Sequence, residues 1–110
     1  MGKNQLGEFE EVVMLTVAIL YGEAYGIAII EEIEKRINRK VSIGALQTVL
    51  RRLEKKGLLE SQLGEATKVR GGKRKRFFMV TSSGQKVLRE AKEQRLQLWS
   101  AIPEIAFNDL

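Results

Sequence analysis

The sequence contains no cysteine and no histidine, and one of its 110 residues is proline. These absences exclude disulfides and the usual zinc sites, and they remove the commonest catalytic nucleophile and base. The longest apolar run, from Val12 to Leu20, is far too short to span a bilayer. We therefore expect a soluble, cytoplasmic protein that uses no membrane, no metal and no cofactor.

Enzymatic chemistry has little support in the remaining residues. Glu31, Glu32 and Glu34 are close in sequence, but they lie on what the periodicity predicts to be a solvated helix face. Gly71 and Gly72 lie between predicted strands rather than before a helix, so they do not form a phosphate-binding or dinucleotide-binding loop. We predict no catalytic residue and interpret the chain as a non-enzyme.

Positive charge is concentrated in one short stretch. The net charge is +5, from 19 basic and 14 acidic side chains. Residues 68–76 contain no acid and carry the whole positive excess, through Lys68, Arg70, Lys73, Arg74, Lys75 and Arg76. A local basic patch on an otherwise balanced chain indicates a surface that docks on polyanions.

Apolar periodicity predicts a mainly α fold with a β-hairpin. Residues 8–21 form a buried helix, for which a buried strand is the alternative that the length disfavours. A second helix follows near residue 27, with a stripe of Ile27, Ile30, Ile33 and Ile37. A third spans 43–56 between Ser42 and Gly57. Strands are predicted over 58–66 and 75–81, and a last helix from about 83 to 102 ends near Pro103.

The third helix is amphipathic in a way that fits DNA recognition. Its apolar stripe is Leu46, Val49, Leu50 and Leu53. The outer face and its flanks carry the residues predicted to contact DNA: Gly44, Gln47, Thr48, Arg51, Arg52 and Lys55. Amide and hydroxyl groups can read base edges, and arginine can reach guanine or a phosphate. A basic outer face is more often merely solvated, so this helix alone does not decide the function.

The hairpin that follows this helix favours nucleic-acid binding over a merely solvated helix face. A glycine-containing, acid-free loop directly after such a helix is the arrangement of a winged helix-turn-helix, whose wing reaches phosphates or the minor groove. We predict that Lys68, Arg70 and the run from Lys73 to Arg76 contact nucleic acid. Phe77 and Phe78 are expected to anchor the wing strand in the core.

Three segments in order resemble the PadR-type transcriptional regulators, over roughly residues 8 to 95. These are "YGIAIIEEI", "VSIGALQTVLRRLEKKGLLE" and "GGKRKRFFMVTSSG". The chain departs from the family pattern at Gln47, where tyrosine is usual, and at Arg74, where proline or a small residue is frequent. Phe77 and Phe78 replace the usual tyrosines.

The resemblance implies a homodimer that binds double-stranded operator DNA and represses transcription. It divides the chain into a winged helix-turn-helix domain over 1–81 and a long C-terminal dimerisation helix with a tail over 82–110. The predicted dimer or ligand interface consists of Leu88, Leu98, Trp99 and Ile102. In some family members a tryptophan on this helix stacks on flat ligands, so Trp99 has two interpretations: binding a small aromatic inducer, or interface packing.

Two other classes of function remain open at this stage. An RNA-binding or ribosome-associated winged helix would use the same basic wing without a twofold site. A protein-interaction module would instead dock its third helix on a partner, and would tolerate loss of Arg51 and of the Lys73–Arg76 run.

Overall fold

The computed structural model describes residues 6–66 and 74–108 of the chain. Three helices are followed by an antiparallel hairpin and a long fourth helix, as the periodicity predicts. The elements are α1 (Glu8–Ile19), α2 (Gly26–Ile37), α3 (Ile43–Lys55), β1 (Leu59–Ala66), β2 (Arg74–Val80) and α4 (Ser82–Ala101), with a short 3₁₀ turn at Glu104–Phe107. The mainly α fold with a β-hairpin is confirmed, and its arrangement is that of a winged helix.

Side-chain caps define where α3 and α4 begin. Ser42 Oγ accepts a hydrogen bond from the Ala45 amide at 3.1 Å. Thr81 Oγ1 accepts from the Gly84 amide at 3.0 Å and donates to the Gly57 carbonyl at 2.7 Å. One hydroxyl therefore caps α4 and ties it to the end of α3, where Gly57 adopts the left-handed conformation (φ 78°) that terminates a helix.

The hairpin is joined to the helical layer through its backbone. Its register pairs Leu59 with Val80 and Leu63 with Arg76, and shifts between Leu63 and Ala66. The Phe78 amide donates to the Ala24 carbonyl at 2.9 Å, so the loop before α2 runs beside β2. The hairpin is thereby held beside the start of α2, and β1 packs against α3.

The core is formed where α1, α2, α3 and the base of the hairpin meet. All four stripe residues of α3 are buried, as predicted. Phe78 is buried with them and Phe77 is half-buried, so the expectation that these rings anchor the wing strand is met. The core side chains from the other elements are Val13, Met14, Val17, Ala24, Ile29, Ile33, Leu58, Leu59 and Val87.

The predicted apolar stripe of α2 is wrong in part. Ile29 and Ile33 are the buried residues, whereas Ile27 and Ile37 are about half exposed. Ile27 instead lines the cleft beside the wing, and Ile30 of the predicted stripe is partly buried at the edge of the core. The stripe is therefore rotated toward Ile29 relative to the predicted one.

The last helix extends beyond the core. Only Gly84 and Val87 of α4 are buried, and every residue from Lys92 to Ala101 is exposed. Its attachment to α1 includes a salt bridge between Arg95 Nη2 and Glu11 Oε1 at 2.6 Å. Within residues 6–66 and 74–108, no helix combines the length and the apolar character needed to cross a membrane.

A buried carboxylate joins α1 to the end of α3. Glu10 Oε1 accepts from the Gly7 amide at 2.8 Å, and Glu10 Oε2 lies 3.0 Å from Lys56 Nζ and 3.8 Å from Arg52 Nη1. Burial alone would raise the pKa of Glu10, but the Gly7 amide, Lys56 and Arg52 together outweigh burial and hold its pKa below the usual value. The charged form is therefore the one that the fold stabilises.

A Glu10→Gln variant is expected to unfold about 1–2 kcal/mol more easily at pH 7, because it loses the charge-assisted contacts while keeping an acceptor for Gly7. Because the folded pKa is the lower one, the contribution of Glu10 is full above the unfolded pKa, about 4.3. It is lost as the pH falls from there through the folded pKa. Urea unfolding of wild type and variant from pH 7 to pH 3 measures this convergence. The exposed Glu31→Gln variant is the control, and a difference that does not shrink as the pH falls below about 4.3 would contradict the assignment.

Candidate nucleic-acid interface

The outer face of α3 is open to solvent along its whole length. Gly44, Gln47, Thr48, Arg51 and Lys55 are all exposed. A Cβ at Gly44 would meet no atom within 4 Å, so the start of the helix is unobstructed. Thr48 Oγ1 donates to the Gly44 carbonyl at 3.0 Å, which leaves its oxygen lone pairs as the groups available to a ligand.

Arg52 differs from its neighbours on α3. Its guanidinium lies toward Glu10, at 3.8 Å, although its side chain is 54% exposed. The predicted contact of Arg52 with a DNA backbone would therefore compete with this ion pair. Lys56, which the sequence did not single out, makes the shorter contact with the same carboxylate.

The described part of the wing carries three consecutive cations. Arg74 Nε donates to the Gly64 carbonyl at 2.7 Å, and Arg76 Nη1 donates to Ser61 Oγ at 3.1 Å. Ser61 Oγ in turn donates to Glu54 Oε2 at 2.8 Å, which links the wing to α3. Lys68, Arg70 and Lys73, also predicted to contact DNA, lie outside the described residues.

A cleft of about 750 Å³ separates α3 from the wing strand. From α3 it is lined by Gln47 and Arg51, and from β2 by Arg74, Lys75 and Arg76. The fold thus brings hydrogen-bonding and cationic groups from two distant segments of the chain onto one concave surface. Gly44, Thr48, Arg52 and Lys55 do not line this cleft and lie elsewhere on α3.

The cations of this surface form no direct salt bridge in the part of the chain whose side chains are described, although Glu54 lies in the same cleft. The salt bridges found there involve Arg36, Arg39, Lys40, Arg52, Lys56 and Arg95. None of them includes Arg51, Lys55 or the three cations of β2. Their positive charge is thus available to an anionic partner.

Comparison with known proteins agrees with this architecture. The profile of the PadR-like family of transcriptional regulators matches residues 14–90, which is more than half of the chain. The chain belongs to the PadR-like family of transcriptional regulators.

Solved structures superpose on most of this PadR-like chain, and two of the three described next are named as PadR-type regulators. A PadR-like transcription factor from Bacteroides fragilis is 27% identical, with a TM-score of 0.69 and coverage of 84% of each chain. A PadR family transcription regulator from Clostridium difficile R20291 is 25% identical, with a TM-score of 0.63 and coverage of 84% of this chain and 91% of its own. A complex described as hsRosR-S1 is 25% identical, with a TM-score of 0.66, and covers 93% of this chain and 83% of its own. A search of curated proteins gives no match.

A second cavity in the PadR-like chain, of about 450 Å³, lies between α1 and α4. Leu15, Leu88, Leu96 and Trp99 supply its apolar lining, and Glu11 and Arg95 are among its polar residues. Trp99 is 65% exposed and meets the Phe107 ring edge-on, with ring centres 6.2 Å apart. Of the predicted interface residues, Leu88 and Trp99 line this cavity, whereas Leu98 and Ile102 do not.

Several residues of the cleft were not predicted from the sequence. Tyr25, Ile27, Ile43 and Glu54 line it alongside the predicted cations. Tyr25 is the residue that precedes the first turn of α2, and its ring lies against the wing. An aromatic residue directly before the glycine that opens α2 was visible in the sequence, but nothing local indicated its distant neighbours.

Proposed function

We propose that this PadR-like protein is a homodimeric, sequence-specific DNA-binding repressor and not an enzyme. The observation that carries the proposal is the cleft in which Gln47 and Arg51 of α3 face the three cations of β2. Gln47 and Arg51 would enter the major groove, because an amide can pair with adenine and a guanidinium with guanine. Arg74, Lys75 and Arg76 would hold phosphates beside the groove. Thr48, Lys55 and Arg52 would make flanking contacts.

The dimer part of the proposal is supported by apolar surface on two helices. Leu15 and Ile19 of α1 are nearly half exposed, and Leu96, Leu98 and Trp99 of α4 are more exposed still. A helix of 20 residues that buries only its first turns would gain cover from a second chain. We propose that residues 82–110 form the dimerisation region and residues 1–81 the DNA-binding domain.

A regulatory ligand would also fit this end of the molecule. Trp99 offers an exposed aromatic face at the α1–α4 cavity, on which a small aromatic inducer would stack. Such a ligand would act on repression by changing the separation of the two α3 helices in the dimer.

The test measures fluorescence anisotropy of a labelled duplex taken from upstream of the protein's own gene, beside a scrambled duplex, at several salt concentrations. We expect tight, sequence-selective binding that weakens steeply with salt, because bound cations release counterions from the phosphates. Equal, weak affinity for both duplexes would contradict the proposal.

A variant with Leu98→Glu and Trp99→Glu separates the dimeric regulator from the alternatives. Sedimentation should give a mass of one chain instead of two, and affinity for the operator should fall at least about 100-fold because the two half-sites are no longer linked. The exposed Gln97→Glu on the same helix is the control. Binding that survives loss of the dimer would instead favour an RNA-binding or ribosome-associated winged helix.

A further inference from the structure

One aromatic ring connects the wing to the start of α2. Lys75 Nζ lies 4.0 Å from the centre of the Tyr25 ring. The Phe77 ring meets the same tyrosine edge-on, with ring centres 5.6 Å apart. Lys75 and Phe77 are two positions apart in β2, so their side chains project from the same face of the strand. Tyr25 therefore contacts two successive side chains of that face.

The position of Phe77 depends on a glycine in the opposite strand. A Cβ at Gly64 would lie 2.5 Å from a carbon of the Phe77 ring, closer than two such atoms can approach. Gly64 lies where the hairpin register shifts, between the Leu63–Arg76 and Ala66–Arg74 pairs. The absence of a side chain there lets Phe77 lie over the strand and still reach Tyr25.

The backbone next to Tyr25 is held as well. The Ala24 carbonyl accepts from the Phe78 amide at 2.9 Å, which fixes the chain on one side of the tyrosine to β2. On the other side Tyr25 is the N-cap residue of α2, yet its side chain forms no capping hydrogen bond. The contacts that its ring makes are with Lys75 and Phe77 of the wing.

The main effect of these contacts is to order the ammonium group of Lys75. Lys75 is exposed. An exposed lysine side chain usually loses conformational entropy when it binds a phosphate, because several rotatable bonds become fixed. An ammonium held over an aromatic face is already ordered, and the cation–π contact leaves the N–H donors that point away from the ring free for a phosphate. Among the carboxylates whose side chains the structure describes, which excludes Glu65, none forms a salt bridge with Lys75.

We propose that Tyr25 is a positioning residue for DNA binding: its ring orders the Lys75 ammonium for a phosphate beside the recognition helix. The inference rests on the proposed function. It means that the residue before α2 contributes to the contact between the wing and the DNA. That contribution is made by ordering Lys75 and does not involve the tyrosine hydroxyl.

The contact itself is tested without DNA. In protein labelled with ¹³C-lysine, the Hε protons of Lys75 should be shifted upfield by the tyrosine ring current, with Lys75→Met providing the assignment. The upfield shift should persist in Tyr25→Phe and disappear in Tyr25→Leu. An unshifted Lys75 in the wild type would overturn the inference without bearing on the proposed function.

The consequence is tested by a double-mutant cycle in operator binding. Tyr25→Leu and Lys75→Met should each weaken binding about three- to fivefold, the range that an ordered cation–π contact supports. The combined variant should be no weaker than Lys75→Met alone, because the tyrosine then has no ammonium to order. Tyr25→Phe should retain wild-type affinity, and the exposed Tyr21→Leu is the control.

Three results would overturn the positioning role. Full additivity of the two substitutions would mean that Tyr25 supports the wing without acting through Lys75. A loss in Tyr25→Phe equal to that in Tyr25→Leu would assign the effect to the hydroxyl. Unchanged binding by Tyr25→Leu would remove the effect altogether. Failure of the wild type to select the operator would instead overturn the proposed function, and this inference with it.

Discussion

Replacing Arg74, Lys75 and Arg76 together by alanine is expected to weaken operator binding about 100-fold at physiological salt. The reason is electrostatic, because each lost phosphate contact no longer releases a counterion from the DNA. The slope of log K against log salt should therefore become shallower by roughly 2.7 for three contacts. Because phosphates carry no sequence information, affinity for a scrambled duplex should fall in parallel. Anisotropy titrations at several salt concentrations measure both quantities.

The matched control removes the same charge from elsewhere. Lys35, Arg36 and Lys86 are exposed and lie outside the cleft, so their joint replacement by alanine lowers the net charge equally. That variant should bind within about threefold of the wild type, since charges beyond a Debye length from the DNA are largely screened. Equal losses in the two triple variants would show that net charge alone drives binding, and would contradict a wing contact. A wing variant that binds like the wild type would favour the protein-interaction module.

The elements that the sequence predicted well are those with strong local signals. The α3 boundaries follow from a serine cap at one end and Gly57 at the other, and its stripe has a single continuous apolar arc. The start of α4 was predicted at about residue 83, and in the structure the helix begins at Ser82 with Thr81 as its cap. Local patterns of this kind act within one turn, so they are readable without tertiary information.

The errors arose where several answers were locally equivalent. The isoleucines of α2 cover a wide arc of the helix, and any of several stripes satisfies the periodicity. The core selects Ile29 because α1 and α3 lie on that side, which no pattern within α2 can indicate. Arg52 shows the same limit of local patterns: its DNA contact stays a prediction, but the outer-face argument could not indicate the nearby carboxylate of Glu10, which is distant in sequence.

The cleft could be predicted only as a set of separate residues. The sequence indicated a cationic helix face and a cationic wing, but the distance between them depends on the hairpin's attachment to α2. That attachment includes Tyr25 and Lys75, which are fifty positions apart in the chain. Their contact becomes visible only when the fold brings β2 beside the start of α2.

Gly84→Ala is expected to be the most destabilising small substitution in the chain's helical layer. A Cβ at this position would lie 2.2 Å from the Leu58 carbonyl oxygen, 2.8 Å from a Val80 methyl carbon and 3.0 Å from the Met14 methyl carbon. The nearest of these is backbone and cannot rotate away, so α4 must shift off the hairpin. We expect a loss of about 3 kcal/mol or more in the free energy of unfolding, the upper range for overpacking.

Thermal unfolding followed by circular dichroism tests this, with a fall in Tm of more than about 10 °C for a domain of this size. Gly44→Ala is the matched control, because a Cβ there meets nothing within 4 Å. It should stabilise the protein by about 0.5–1 kcal/mol, since alanine favours a helix over glycine. If the same glycine-to-alanine change lowers the free energy of unfolding at Gly84 and raises it at Gly44, the steric effect is distinguished from helix propensity. Similar Tm values for the two variants would mean that α4 can move away from Leu58 at little cost. The first turn of α4 would then not be what holds this helix to the rest of the fold.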